Sequence, residues 1–168
     1  MILGMSLSNF TLFHVVLSLV GIGAGGVVIV GMLYARRLEG WTALFLATTV
    51  ATSVTGFMFK SAAIGPPHIV GLFSLIVLAI GLAALYKYQL AGRWRWIYVI
   101  AAVLALYLNV FVGVAQAFQK VLFLHRLAPA GSEPPFVIAQ TVVLLAFLVI
   151  GVGAIKRFPK RIATRTLT

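Results

Sequence analysis

The sequence predicts an all-α, polytopic membrane bundle of five transmembrane helices with its N-terminus outside and its C-terminus inside. Three observations carry the prediction: 62% of residues are apolar and only 9% charged, the apolar residues fall in five unbroken runs, and the Lys and Arg residues collect between alternate runs. Soluble domains average about 45–50% apolar and about 25% charged residues, so a chain of this composition is not a water-soluble monomer. Five spans of about 20 residues use about 100 positions, close to the whole apolar complement of these 168 residues.

The runs are Phe10–Tyr34, Trp41–Phe59, His68–Tyr88, Trp96–Phe118 and Phe136–Ile155. Each is long enough to cross about 30 Å of hydrocarbon as a helix. They are continuously apolar, not alternating, which excludes barrel strands. The first run follows no Lys or Arg and precedes no A-x-A cleavage site, so it reads as a retained span and not a signal peptide. The breaks carry helix-end chemistry: Ser8 and Asn9 as caps for the first run, Pro66-Pro67 before the third, and Ser132-Glu133-Pro134-Pro135 before the fifth. Residues 1–168 thus form one transmembrane domain with a cationic tail, 156–168.

Orientation follows from charge. Arg36, Arg37, Lys87, Arg93, Arg95, Lys156, Arg157, Lys160, Arg161 and Arg165 fall on one side, against Lys60, Lys120 and Arg126 on the other. The positive-inside rule assigns the first group to the cytoplasm. Tyr34, Trp41, Tyr86, Tyr88, Trp94 and Trp96 form an aromatic belt on that same side. The formal charge of +11 is therefore a membrane signature and implies no nucleic-acid partner, while the tail lies along anionic headgroups. The stretch Gln119–Pro135 reads as a long outer loop, of a length more often functional than merely connecting.

Helices in lipid associate through small residues, and the spans carry such faces. Thr11, His14, Ser18, Gly21 and Gly25 share one stripe, and Ala43, Ala47, Ala51 and Thr55 another. Gly71, Ser74 and Gly81 mark the third span, Tyr98, Ala102, Ala105, Asn109, Gly113, Gln116 and Lys120 the fourth, and Gln140 the fifth. Polar side chains at membrane depth face a bundle interior or an aqueous cavity. His14, Ser18, His68, Asn109, Gln116 and Gln140 are accordingly expected to converge on an outward-facing pocket.

Two neutral imidazoles on different helices suit the axial positions of haem b or hydrogen bonds to a quinone. As metal ligands, His14 and His68 lead and His125 is weaker, Glu133 being the one acid near them in sequence. The absence of cysteine excludes disulfides and thiolate sites, and the spans hold neither intramembrane acids nor a hydrolytic motif. The expected function is a non-enzymatic binding or accessory subunit, with a small-solute channel or transporter and a structural subunit of a larger complex as alternatives. Expected partners are the lipid bilayer, its anionic headgroups, and a further copy or larger membrane complex.

At Trp41–Phe57 (WTALFLATTVATSVTGF), Pro67–Gly71 (PHIVG), Trp94–Val99 (WRWIYV), Ala105–Val112 (ALYLNVFV) and Ser132–Phe136 (SEPPF), the chain resembles a group of short, uncharacterised bacterial inner-membrane proteins. The resemblance extends over nearly the whole chain. It implies a bacterial, proteobacterial inner membrane and carries no residue roles. Relatives in that group often have an acidic or histidine-bearing loop before PHIVG, where this chain has Lys60-Ser61-Ala62-Ala63.

Overall fold

The computed structural model describes residues 4–59 and 65–158, the side chains of Pro66 and Pro67 excepted. The loop at Lys60–Ala63 and most of the cationic tail lie outside the described residues. The elements in order are α1 (Leu7–Leu33), α2 (Glu39–Gly56), α3 (Pro66–Leu82) running on into a π-helical turn (Ala83–Lys87), α4 (Trp94–Lys120), the short α5 (Leu122–Leu127) and α6 (Pro134–Arg157).

The expected spans all appear as helices, with ends that differ for local reasons. Ser6, not Ser8 or Asn9, caps α1: its hydroxyl accepts from Asn9 N–H at 3.2 Å, and the helix starts one turn earlier than the apolar run. Gly65 and the two prolines open α3, and His68 in its first turn reaches back so that Nδ1 accepts from Gly65 N–H at 3.3 Å. Glu133 precedes Pro134 at the start of α6, and its carboxylate takes Ala130 N–H at 2.9 Å and Ser132 N–H at 3.0 Å. The expected long outer loop is partly helical, because α4 continues to Lys120 and α5 follows after a single residue.

Among the described residues four helices are long and apolar enough to cross a membrane, namely Leu7–Leu33, His68–Lys87, Trp94–Lys120 and Pro134–Arg157. The second expected span differs. Its helix forms over 18 residues, but Glu39 and six hydroxyl side chains lower its apolarity. All six, Thr42, Thr48, Thr49, Thr52, Ser53 and Thr55, are buried, while Trp41, Leu44 and Val54 face outward. Its polarity is turned inward.

α1 packs along α2, α2 along α3, α3 along α4 and α4 back on α1, so four alternating helices close a ring. α6 lies outside the ring against α4 and α1 and buries only Gln140 and Ala154. Glycine sets the closest approach. A β-carbon at Gly25 would stand 2.7 Å from Leu106 Cδ1 and 2.8 Å from the Phe45 ring, so the bare backbone admits both side chains. Ala101, Ala102 and Ala105 on α4 are buried, and a β-carbon at Gly81 of α3 would stand 3.3 Å from Ala101 Cβ. The bundle has two ends: a histidine end, where α1, α3 and α6 begin and α2 and α4 stop, and an arginine end with the opposite termini.

Candidate functional site

The residues expected to form one outer pocket occupy several distinct places. His14 is half-buried on α1, with Nδ1 2.8 Å from Thr55 Oγ1 and its ring edge-on to Phe59, centroids 5.2 Å apart. The Thr55 hydroxyl also lies 2.7 Å from Ala51 O. When its one proton points to that carbonyl, His14 Nδ1 is the donor and Nε2 holds the lone pair. His68 lies against Phe57, ring centroids 5.8 Å apart. Thr55 and Phe57 are two residues apart on a helix and so point to nearly opposite faces, which puts the two imidazoles on different sides of the α2 terminus. Lys120, exposed at the end of α4, interacts electrostatically with His14, and His125 is exposed on α5.

Asn109 sits at mid-bundle. A β-carbon at Gly21 would meet its Nδ2 at 3.2 Å, Thr48 Oγ1 at 3.2 Å and Thr49 Oγ1 at 3.3 Å. Asn109 Nδ2, Thr49 Oγ1 and Thr52 Oγ1 are buried without a hydrogen-bond partner among the described residues. Gln140 ties α6 to α4 through Nε2–H to Phe111 O at 3.0 Å. Ser18 is half-buried on α1 and Gln116 is exposed on α4. No group of three or more metal-ligating side chains occurs among the described residues.

A cavity of about 490 Å³ lies at the other end of the bundle. Its floor is apolar: Val28 and Met32 from α1, Leu85 from the π-helical turn, Leu90, and Phe158 beyond α6. Its polar edge comes from the α1–α2 link (Arg36, Arg37, Glu39), from Tyr86 and Gln89, and from Thr42 and Tyr98.

The backbone around this cavity departs from regular geometry more than elsewhere. Tyr88 N–H bonds to Ala83 O at 3.0 Å, the i→i−5 pattern that widens the end of α3. All three non-glycine residues with positive φ among the described residues stand here: Ala35 at 56°, Gln89 at 51° and Leu90 at 58°. Such conformations cost about 1–3 kcal/mol each and persist where surrounding packing imposes them. Leu90, 4% exposed, is held by that packing.

Phe158 joins α6 to the site. Its carbonyl accepts from the buried Arg95 guanidinium, its ring lies beneath Arg37 at 5.6 Å, and Tyr98 packs 5.9 Å away. The backbone N–H of Arg36 donates to Gly31 O at 2.8 Å, while its guanidinium makes no hydrogen bond or ion pair among the described residues. Glu39 is the one acid near the cavity, since the chain's other acid, Glu133, stands at the histidine end.

Arg36, Arg37 and Tyr86 were legible in the sequence as positive-inside charge and aromatic belt, and alternation of the spans put both links at one end. That the two links enclose a cavity depends on the π-helical turn and the left-handed residues, which no composition pattern reports. Neither a family model, nor a curated protein, nor a solved structure matches the chain.

Proposed function

We propose that the chain is a multi-pass protein of a bacterial inner membrane, N-terminus outside, that works by binding and not by catalysis, and that its ligand occupies the cavity at the arginine end. Its membrane placement is supported by the inverted polarity of the bundle: large apolar side chains such as Leu12, Leu19, Ile69, Leu148 and Val149 are exposed while the α2 hydroxyls are buried. On the same ground α2 is the fifth span. Its outer face is apolar, and its polar face is covered by α1 and α3.

The binding reading rests on one observation, the 490 Å³ cavity built from both helical links and the end of α6. Sites for small molecules commonly run from about 300 to 1,000 Å³, are mostly apolar and carry a few convergent polar groups. The geometry adds nothing in favour of haem or a quinone at His14 and His68, whose rings approach different faces of α2. A channel along the α2 hydroxyls has Phe45, 0% exposed and seated on Gly25, filling the interior between Thr42 and Thr48. An accessory role in a larger complex, and kinship with the short bacterial inner-membrane proteins, accord with the large share of the described residues held in apolar helices of membrane length.

Native mass spectrometry of the protein released from detergent tests the reading. The wild-type chain should retain a bound molecule, and Ala43→Phe, which projects a ring into the cavity, should lose it. Ala47→Phe, one turn along on the exposed face of α2, should keep it. Equal retention by all three proteins would refute the cavity as the ligand site.

A further inference from the structure

We infer that the arginine-end cavity takes an amphiphile by its oxyanion headgroup, phosphate or carboxylate, with Arg36 and Arg37 as the headgroup clamp and the apolar floor receiving the part next to it. The inference rests on the binding reading above and assigns its ligand class.

Depth is the first argument. The cavity lies where α1 and the π-helical turn end and α4 begins, at the boundary between apolar spans and charged links. Tyr34, Trp41, Tyr86 and Trp96 are exposed around the same boundary, the level at which amphipathic rings meet headgroups. A molecule entering there meets Val28, Met32, Leu85 and Leu90 below and guanidinium groups above. That profile fits an amphiphile; a wholly polar solute would leave the floor uncovered.

Charge is the second. The Arg36 guanidinium makes no hydrogen bond or ion pair among the described residues, and that of Arg37 lies over the Phe158 ring, so neither is paired with an acid there. Two other guanidinium groups close by are already engaged, Arg95 by Phe158 O and Arg157 by Leu33 O at 3.5 Å, and hold the wall instead of the ligand. Planar guanidinium forks match phosphate and carboxylate oxygens two at a time, which a zwitterionic headgroup with an outer ammonium satisfies less well. Glu39 opposes an anion at this site, so its removal should strengthen binding. The first turn of α2, which includes Glu39 and Gly40, has no side-chain cap, and its free N–H groups add to the positive potential.

Size is the third. A cavity of 490 Å³ is in the range of compact ligands, so it accommodates a headgroup and the segment adjoining it, with longer chains passing out between helices.

The protein contains its own reporter, because its only three tryptophans, Trp41, Trp94 and Trp96, all stand at this end. Brominated lipids quench tryptophan on contact. In mixed micelles, dibrominated phosphatidic acid should quench more deeply than dibrominated phosphatidylcholine at equal mole fraction, with at least a tenfold preference in relative binding constant. Arg36→Gln should remove most of that preference, Arg36→Gln with Arg37→Gln all of it, and Glu39→Gln should increase it. Lys156→Gln, a charge lost at the same membrane face from the exposed end of α6, should leave it unchanged.

Millimolar inorganic phosphate separates the two sources of the oxyanion. Relief of quenching means that the headgroup alone suffices, and no relief means that the adjoining apolar segment is needed; either outcome supports the clamp when the arginine variants behave as stated. The single Arg36→Gln protein keeps the inference testable should the double variant misfold, because the substitution leaves the backbone bond to Gly31 in place and the Arg36 side chain makes no hydrogen bond or ion pair among the described residues. Preference for the anionic lipid that survives Arg36→Gln, or that falls equally with Lys156→Gln, would overturn the inference. A neutral molecule lost from Ala43→Phe in the mass experiment would do so as well while leaving the binding reading intact. Absence of any cavity-dependent ligand would remove the binding reading itself.

Discussion

Gly21 on α1 faces Asn109 on α4 so closely that a β-carbon at position 21 would stand 3.2 Å from the amide nitrogen. The same point lies 3.2 Å from Thr48 Oγ1 and 3.3 Å from Thr49 Oγ1, so one glycine lets three polar side chains from two other helices meet at mid-bundle. Gly21→Leu should therefore lower thermal stability in detergent by about 1–3 kcal/mol, the usual cost of overpacking. Gly26→Ala, with nothing within 4 Å of the new methyl, should be neutral or gain about 0.5–1 kcal/mol from helix propensity. Equal melting of the two variants would show that α1 is turned the other way.

Thr49 and Ser53 should respond in opposite senses to loss of their hydroxyls. Thr49 is 1% exposed and its Oγ1 has no partner, so Thr49→Val replaces an unsatisfied polar group by an apolar one of similar shape. Stability should hold or rise. Ser53 Oγ lies 2.9 Å from Thr49 O and 3.2 Å from Ser74 Oγ, so Ser53→Ala should cost about 0.5–1.5 kcal/mol. A marked loss in Thr49→Val would mean that its hydroxyl is satisfied in the membrane by a group from outside the chain.

Arg95 is a structural tie at the edge of the cavity. It is buried and donates to Phe158 O, which fixes the residue following α6. Arg95→Met should free that end and cost about 1.5–3 kcal/mol, the range for hydrogen bonds to charged groups. A faster first cleavage after Arg157 in limited proteolysis would register the release; an unchanged digest would show that α6 is held by other contacts.

Orientation is open to direct labelling, since the chain has no cysteine. Single cysteines at Ser132, exposed at the histidine end, and Ala91, exposed at the arginine end, report the two faces. An impermeant thiol reagent on intact cells should label the first and spare the second. The reverse pattern would move the cavity to the outer face and contradict the positive-inside reading.

Glu133 predicts a pH effect. Backbone N–H groups, Ala130 first, hold its carboxyl below the ordinary glutamate value. A carboxylate depressed in the folded chain contributes stability that is fully present above its unfolded pKa and is lost as pH falls through its folded one. Order in the turn before α6 should thus weaken only on acidification below the usual carboxylate range, and Glu133→Gln should abolish that dependence. Amide exchange at Ala130 and Ser132 against pH measures it.

Composition and apolar periodicity were enough to find every long helix, because in lipid each span must satisfy its own backbone and so advertises itself as a continuous apolar run. Gly21, Gly25 and the small residues of α4 were legible as packing faces for the same kind of reason, since only small side chains let helix backbones approach. The hydroxyls of α2 were visible too, although a hydropathy sum counts them against a span while burial inside the ring removes that cost.

Tertiary structure alone decided where the polar groups meet. Alternation of the spans brings His14 and His68 to one end of the bundle, but the half-turn between Thr55 and Phe57 sends their rings to different faces of α2. At the other end, Arg36 and Tyr86, fifty positions apart, come to line one cavity because α2 and α3 form an antiparallel pair that returns the chain to its starting face. A sequence determines which segments are helices through local, periodic burial. Which side chains share a cavity depends on helix rotation and on the π-helical and left-handed turns at Ala83–Lys87 and Gln89–Leu90, and these follow from packing between segments distant in the chain.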